Sequence, residues 1–288
     1  MTYDLFIGDR TFSSWSLRGW LMLEKFHLPH TSHLVGLYSG TMAADLADLA
    51  PARTVPTLRT PEGYVLSDTL AMAETLAERH PDAGLWPTDP AARALARSMV
   101  AEMHSGFGAL RGACPMVLSR AWSGFAAPDA VHGDLDRIAQ LWALARDRFG
   151  GDAPWLFGTY SLADVFYAPV AARIAAYGLP VADAAQDYVA AHLADTAFRQ
   201  WRALGLAEHY DPFPYPMDLP VVEWPGPAPI PAQAVDSGTP ENASCPYSGG
   251  PVTHLLQTQG RTFGFCNAGC RDKTVADPAA WPKFMALL

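Results

Sequence analysis

The spacing of apolar residues changes near residue 89, and that switch limits the folds open to this chain. Upstream, short aromatic and β-branched runs predict strands over 3–7, 31–37, 56–59 and 64–66. Helical spacing predicts helices over 17–28, 42–49 and 68–79. Pro61-Glu62-Gly63 supplies a turn between the last two strands. The order βαβαββα describes an α/β layer, with a βαβ unit followed by a hairpin. Downstream, 91–111, 134–149, 162–177, 184–194 and 196–208 all carry helical periodicity, with no good strand among them. An all-helical domain is expected there, joined through Trp86-Pro87-Thr88-Asp89-Pro90.

A second change follows. Residues 211–240 hold nine prolines in 30 positions, the composition of an extended linker or a strap laid over a surface. No Lys or Arg lies between Arg202 and Arg261, whereas six carboxylates do. The chain is thus expected to divide into 1–82, 89–210, a proline-rich linker over 211–243 and a compact tail over 244–288. The net charge of −9 argues against nucleic-acid binding and against a polybasic membrane surface. Half the residues are apolar, which excludes disorder over most of the chain. No apolar run reaches the length that spans a bilayer, and the start lacks the order of a signal peptide. Four cysteines in 288 residues are no disulfide framework, so a cytoplasmic setting with reduced thiols is expected.

Three short segments at the start can carry chemistry. In Thr11-Phe12-Ser13-Ser14-Trp15-Ser16-Leu17-Arg18, hydroxyls stand between the first strand and the first helix. They can cap that helix, and the helix N-terminus also favours an anion such as a thiolate. Lowering a thiol pKa by two units from its usual value of about 8.5 requires roughly 2.7 kcal/mol of preferential thiolate stabilisation. In Arg53-Thr54-Val55-Pro56-Thr57-Leu58, a proline before a strand suits a cis bond or an edge. A cis bond would turn the Val55 backbone toward an extended peptide ligand. In Ser67-Asp68-Thr69, Asp68 and Thr69 open a helix, where they can cap it or hold the charged end of a ligand.

Together these segments, followed by a helical domain, resemble the glutathione transferase family over roughly residues 1–210. Ser-Ser-Trp-Ser-Leu-Arg is similar to the zeta-like bacterial members, as is the helix carrying Glu102-Met103-His104 to Arg111. Ser161-Leu162-Ala163-Asp164 matches the family's capping box, which also has a local physical reason. The resemblance implies a thioredoxin-like domain that binds glutathione and a helical domain that forms the electrophile pocket. It implies Ser14 as the catalytic serine, with Ser13 the alternative. It implies Val55 and Pro56 at the glutathione peptide backbone and Asp68 and Thr69 at its γ-glutamyl end. Trp15, Met103, His104, Phe107 and Arg111 are the candidates for the electrophile pocket, with core packing the competing role for Met103 and Phe107. Thr54 stands where many members carry Lys or Gln, and Thr69 replaces the commoner Ser. Homodimerisation is implied by resemblance only. Cys114 reads as a small buried apolar residue.

The remaining cysteines follow C-x20-C-x3-C: Cys245, Cys266 and Cys270. A knuckle, a hairpin and two cysteines one helical turn apart would converge three sulfurs, a donor set that selects soft ions such as Zn or Cu. Gly260-Arg261-Thr262-Phe263-Gly264-Phe265-Cys266 onward resembles the YHS/TRASH type of metal-binding module, which implies a zinc-ribbon or treble-clef-like fold. His254 and Asp272 are the candidates for a fourth ligand, and free thiols on a packed tail are the competing reading.

Two functions are carried forward. One is a glutathione-dependent transferase or isomerase in which a serine hydroxyl stabilises the thiolate that attacks a small electrophile. The other is a non-catalytic glutathione- or metal-binding sensor on the same scaffold. A disulfide reductase is disfavoured because no Cys precedes Cys114. The chain has no P-loop, no G-x-G-x-x-G after a strand and no H-E-x-x-H.

Overall fold

The computed structural model describes residues 2–208 and 214–288. The N-terminal part runs β1 (Tyr3–Ile7), α1 (Ser14–Glu24), β2 (His30–Leu34), α2 (Met42–Asp45), β3 (Thr57–Arg59), β4 (Val65–Leu66) and α3 (Thr69–Arg79). The sheet order is β2-β1-β3-β4, with β1 and β2 parallel and the other pairs antiparallel. Tyr3, Leu5 and Ile7 alternate into the core along β1, as a strand buried on one face should. This is the thioredoxin-like layer implied by the resemblance.

The helices follow: α4 (Pro90–Ser105), α5 (Gly108–Ala113), α6 (Asp129–Phe149), α7 (Leu162–Tyr177), α8 (Asp183–Ala194) and α9 (Thr196–Ala207). The continuous helix expected over 91–111 is broken. Gly106 ends α4, and a Cβ there would come within 2.6 Å of the Glu102 carbonyl, so only glycine fits. Phe107 then takes φ 54°, which starts α5 in a new direction. Helix α6 begins five residues before the expected start, because Val131 alone among Asp129, Ala130, His132 and Gly133 makes no apolar stripe for periodicity to detect. The α7 capping box is present: the Asp164 carboxylate accepts from the Ser161 N–H at 2.8 Å and the Ser161 hydroxyl at 3.1 Å. Helix α7 is buried on nearly every side and is the pillar of the helical layer.

A two-stranded ribbon corrects the expectation of an all-helical domain over 89–210. β5 (Ala121–Trp122) pairs with β6 (Val221–Val222), which lies inside the proline-rich stretch. The same stretch also holds β7 (Ala232–Val235), which pairs with β8 (His254–Thr258); β8 in turn pairs with β9 (Arg261–Phe265). Proline allows edge strands of this kind, so the stretch is built into its neighbours and is not a bare linker. Helices α10 (Ala268–Ala276) and α11 (Pro282–Met285) complete the chain.

The chain forms two compact units. One comprises 1–193 with 212–225, and the other 194–211 with 226–288. The expected boundary at 210/211 falls within 209–213, outside the described residues. Helix α9, expected with the helical domain, joins the second unit: its Ala203 and Leu204 belong to a core with Leu256, Phe263, Phe265, Trp281 and Phe284. Its Arg199 makes a two-pronged ion pair with the buried Asp277 carboxylate at 2.7 and 2.8 Å. No helix among the described residues is long and apolar enough to cross a membrane.

Candidate active site

In the first unit, a cavity of about 640 Å³ lies against the N-terminus of α1. Phe12, Ser13, Ser14 and Trp15 form one wall, and Thr54 and Val55 another. Arg111, Arg173 and Tyr215 contribute the polar groups from the helical side and the ribbon segment. The Val55–Pro56 peptide bond is cis. A Cβ at Gly19 would meet the Pro56 ring at 3.0 Å, so this glycine lets α1 lie against the loop that carries Val55.

The two candidate serines differ. The Ser13 hydroxyl donates to the Ser16 hydroxyl at 2.8 Å, and Ser16 in turn accepts the Gly8 N–H at 2.9 Å. Ser13 does not cap α1 with its side chain, contrary to the capping expectation. Ser14 is the first residue of α1, and its oxygen accepts a bond from the Arg173 guanidinium at 3.3 Å. With its oxygen engaged as an acceptor, the Ser14 hydroxyl keeps its proton to donate.

Arginine dominates the surroundings. Arg18 is fully buried, 4.6 Å from the Trp15 ring and 5.0 Å from Phe166, and its guanidinium nitrogens have no hydrogen-bond partner among the described residues. Burial, with Arg173 and Arg111 nearby, pushes its pKa down to about 9. Arg173 bonds the carbonyls of Cys114 and Pro169 as well as Ser14. Burial likewise pushes it down to about 10. Arg111 stands 5.2 Å from the Trp15 ring. Among the described residues, none of these three arginines is paired with a carboxylate. Three cations so placed raise the potential in the cavity and favour an anion there.

The other candidates separate. Asp68 caps α3, accepting from the Leu70 and Ala71 N–H groups at 2.8 and 3.1 Å. Its second oxygen lies 3.2 Å from His104 Nε2. Thr69 is buried, and its hydroxyl has no partner among the described residues. Of the five pocket candidates, Trp15 and Arg111 line the cavity. Met103 is packed in the core, Phe107 serves the break between α4 and α5, and His104 pairs with Asp68, so none of the three lines it. Sequence reasoning missed Arg173 and Tyr215. A lone arginine in the apolar run 162–177 was the available signal for the first. Tyr215 sits in the proline-rich stretch, bonded to the Tyr38 hydroxyl at 2.7 Å, and nothing local marks it. Cys114 is buried, and burial pushes its thiol up to about 12.

In the second unit, the sulfurs of Cys245, Cys266 and Cys270 all lie within 4.8 Å of one another. The Cys266 and Cys270 sulfurs are 3.8 Å apart. Tetrahedral thiolates at about 2.3 Å from one ion would sit about 3.8 Å from each other, so the spacing suits a shared ion. Burial opposes ionisation of Cys245, but N–H groups of Ser248, Cys266 and Tyr247 outweigh it and bring the thiol down to about 6. His254 Nδ1 meets the Thr253 hydroxyl and Asp272 pairs with Arg271, so neither joins the cluster.

Known proteins share this architecture. Residues 12–79 match the glutathione S-transferase N-terminal domain. A probable maleylacetoacetate isomerase from Caenorhabditis elegans is 36% identical over 97 residues, covering 34% of this chain and 44% of that protein. A maleylacetoacetate isomerase from Pseudomonas aeruginosa is 30% identical over 165 residues, covering 53% of this chain and 72% of that protein. The chain therefore spans under half the length of the first relative and more than two thirds of the second. A glutathione transferase homologue from Burkholderia gl BGR1, solved with bound glutathione, has a TM-score of 0.53 at 25% identity, covering 71% of this chain and 98% of that one. With the thioredoxin-like sheet, the helical layer and these relatives agreeing, the chain belongs to the glutathione S-transferase family.

Proposed function

We propose that this chain is a glutathione-dependent transferase or isomerase, with Ser14 stabilising the glutathione thiolate for attack on a small electrophile that carries a carboxylate. The observation that carries this reading is the Ser14 hydroxyl at the start of α1, facing the cavity with the Arg173 guanidinium 3.3 Å from its oxygen. A hydroxyl proton, a helix N-terminus and a nearby cation all favour a thiolate over a thiol. Ser13, already donating to Ser16, is the weaker choice. Val55 and Pro56 would meet the glutathione peptide backbone, and Asp68 its ammonium group. The buried Thr69 hydroxyl would find its missing partner in the γ-glutamyl carboxylate, relieving a cost of about 1–3 kcal/mol. Arg111 and Arg173, which have no carboxylate partner among the described residues, are the groups for an anionic electrophile. The reading extends to a homodimer in the cytoplasm.

The test is a pH titration of bound glutathione, following thiolate absorbance, on the wild type and Ser14→Ala. A thiol pKa well below about 8.5 that climbs back by one to two units in the variant is expected, since a hydrogen bond to a charged group contributes about 1.5–3 kcal/mol. Tight binding with no displaced pKa would favour the non-catalytic alternative.

We further propose that Cys245, Cys266 and Cys270 hold a soft ion, Zn or Cu(I). Their all-sulfur chemistry and spacing support it. The ion would brace the knuckle against the β8–β9 hairpin and α10.

A further inference from the structure

Among the described residues the cluster offers three sulfurs and no fourth ligand, whereas a structural zinc site uses four protein ligands. The polar side chains that touch it are oriented as donors. The Ser248 hydroxyl donates to the Cys266 sulfur at 3.2 Å, and the Asn267 amide donates to the same sulfur at 3.3 Å. A group that gives its hydrogen to a ligand sulfur is supporting that ligand rather than binding the ion. Cys245 is buried, but Cys266 and Cys270 are partly exposed, so the cluster has one open side. Gly249 and Gly250 close the knuckle, and a Cβ on Gly250 would approach the Cys266 Cβ to 3.4 Å. Gly269 precedes Cys270 in the first turn of α10.

A cation also stands beside the cluster. The Lys273 ammonium, three residues beyond Cys270 on α10, lies 4.0 Å from both the Tyr247 and Trp281 rings. It offsets negative charge that accumulates as thiolates gather on one ion.

We infer that the three-cysteine cluster binds its metal with one coordination position left for a small external thiol, such as glutathione, so that the tail is a metal–thiol binding site. This rests on the metal reading given above. A thiol is the class of ligand indicated because the existing donors are all sulfur, and an ion selected by such a set prefers a further thiolate to water. No electron transfer is involved: the thiol loses a proton to solvent and its sulfur joins the metal.

The experiment uses the full-length protein, reduced and anaerobic, with Co²⁺ as an optical probe. The protein is titrated first with Co²⁺ and then with glutathione or, separately, 2-mercaptoethanol. Glutathione held in the cavity of the first unit is silent in this signal, because only sulfur on cobalt contributes. The expected result is one Co²⁺ per chain, with sulfur-to-cobalt absorption that rises by about a third on adding either thiol as three thiolates become four. The metal should stay with the protein through gel filtration. An unchanged spectrum with Co²⁺ retained would overturn this inference and leave the metal reading standing. Loss of Co²⁺ to the added thiol would also overturn it. Failure to bind Co²⁺ at all would overturn both.

Discussion

Replacing Arg18 with methionine should make the protein more stable and less active. The Arg18 guanidinium is fully buried, its nitrogens lack hydrogen-bond partners among the described residues, and Arg173 and Arg111 add like charge. Its descent from above 12 to about 9 corresponds to roughly 4–5 kcal/mol against holding the charge there. Two rings offset part of this. The contacts to Trp15 and Phe166 contribute about 1–2 kcal/mol each when desolvated. Methionine fills a similar volume and keeps a favourable contact with both rings. The balance is a gain of about 1–3 kcal/mol, in line with other replacements of buried charge by apolar groups.

Urea denaturation of wild type and Arg18→Met, followed by far-UV circular dichroism at several pH values, measures it. Below pH 9 the guanidinium is charged in both folded and unfolded chains, so the cost is full. Above pH 9 the unfolded chain holds more protons, and wild-type stability rises with pH from this group. The advantage of the variant should therefore shrink as pH climbs above 9. Turnover should fall in the same variant, because one of the three cations that favour an anion in the cavity is gone. A variant destabilised by more than about 1 kcal/mol at neutral pH would refute the reasoning, because the charge would then be better solvated inside than these contacts allow.

Three further outcomes are expected. Asp164→Ala removes an acceptor from the Leu156 and Ser161 N–H groups and the Ser161 and Tyr188 hydroxyls, and should cost more than about 3 kcal/mol in denaturant unfolding. Burial raises that carboxyl to about 6 despite these bonds, so its contribution in wild type is greatest at low pH and declines as pH rises from about 4 to 6. Iodoacetamide at pH 8 should label Cys266 in apo native protein and spare Cys114, whose thiol is buried and pushed up to about 12; peptide mapping by mass spectrometry reads this directly. Chelation should lower the melting temperature of the second unit without abolishing cooperative unfolding, because Phe263, Phe265, Trp281 and Phe284 form an apolar core with α9; loss of all cooperativity would refute that.

Much of the fold was legible because it rests on local rules. β1 and α7 coincide with their expected bounds, and the Ser161–Asp164 capping box forms as read. Boundaries moved where polar turns or a glycine intervened, as at Ser14, Asp129 and Gly106. The candidate site was legible in part. Ser13, Ser14, Trp15, Val55 and Arg111 meet at one cavity, whereas Met103 and Phe107 follow the packing role that helical spacing equally allowed.

What the sequence determined by itself is whatever neighbours in the chain enforce: the change from α/β to helical periodicity, the helix caps at Asp68 and Ser161, and the pairing of Cys266 with Cys270 one helical turn apart. Only tertiary structure decided that α9 belongs with the cysteine tail and that Arg173 reaches Ser14 across 159 residues. Periodicity reports which face of an element is buried, but not what it is buried against. A lone charge reveals its partner, or its lack of one, only when packing has brought distant elements together.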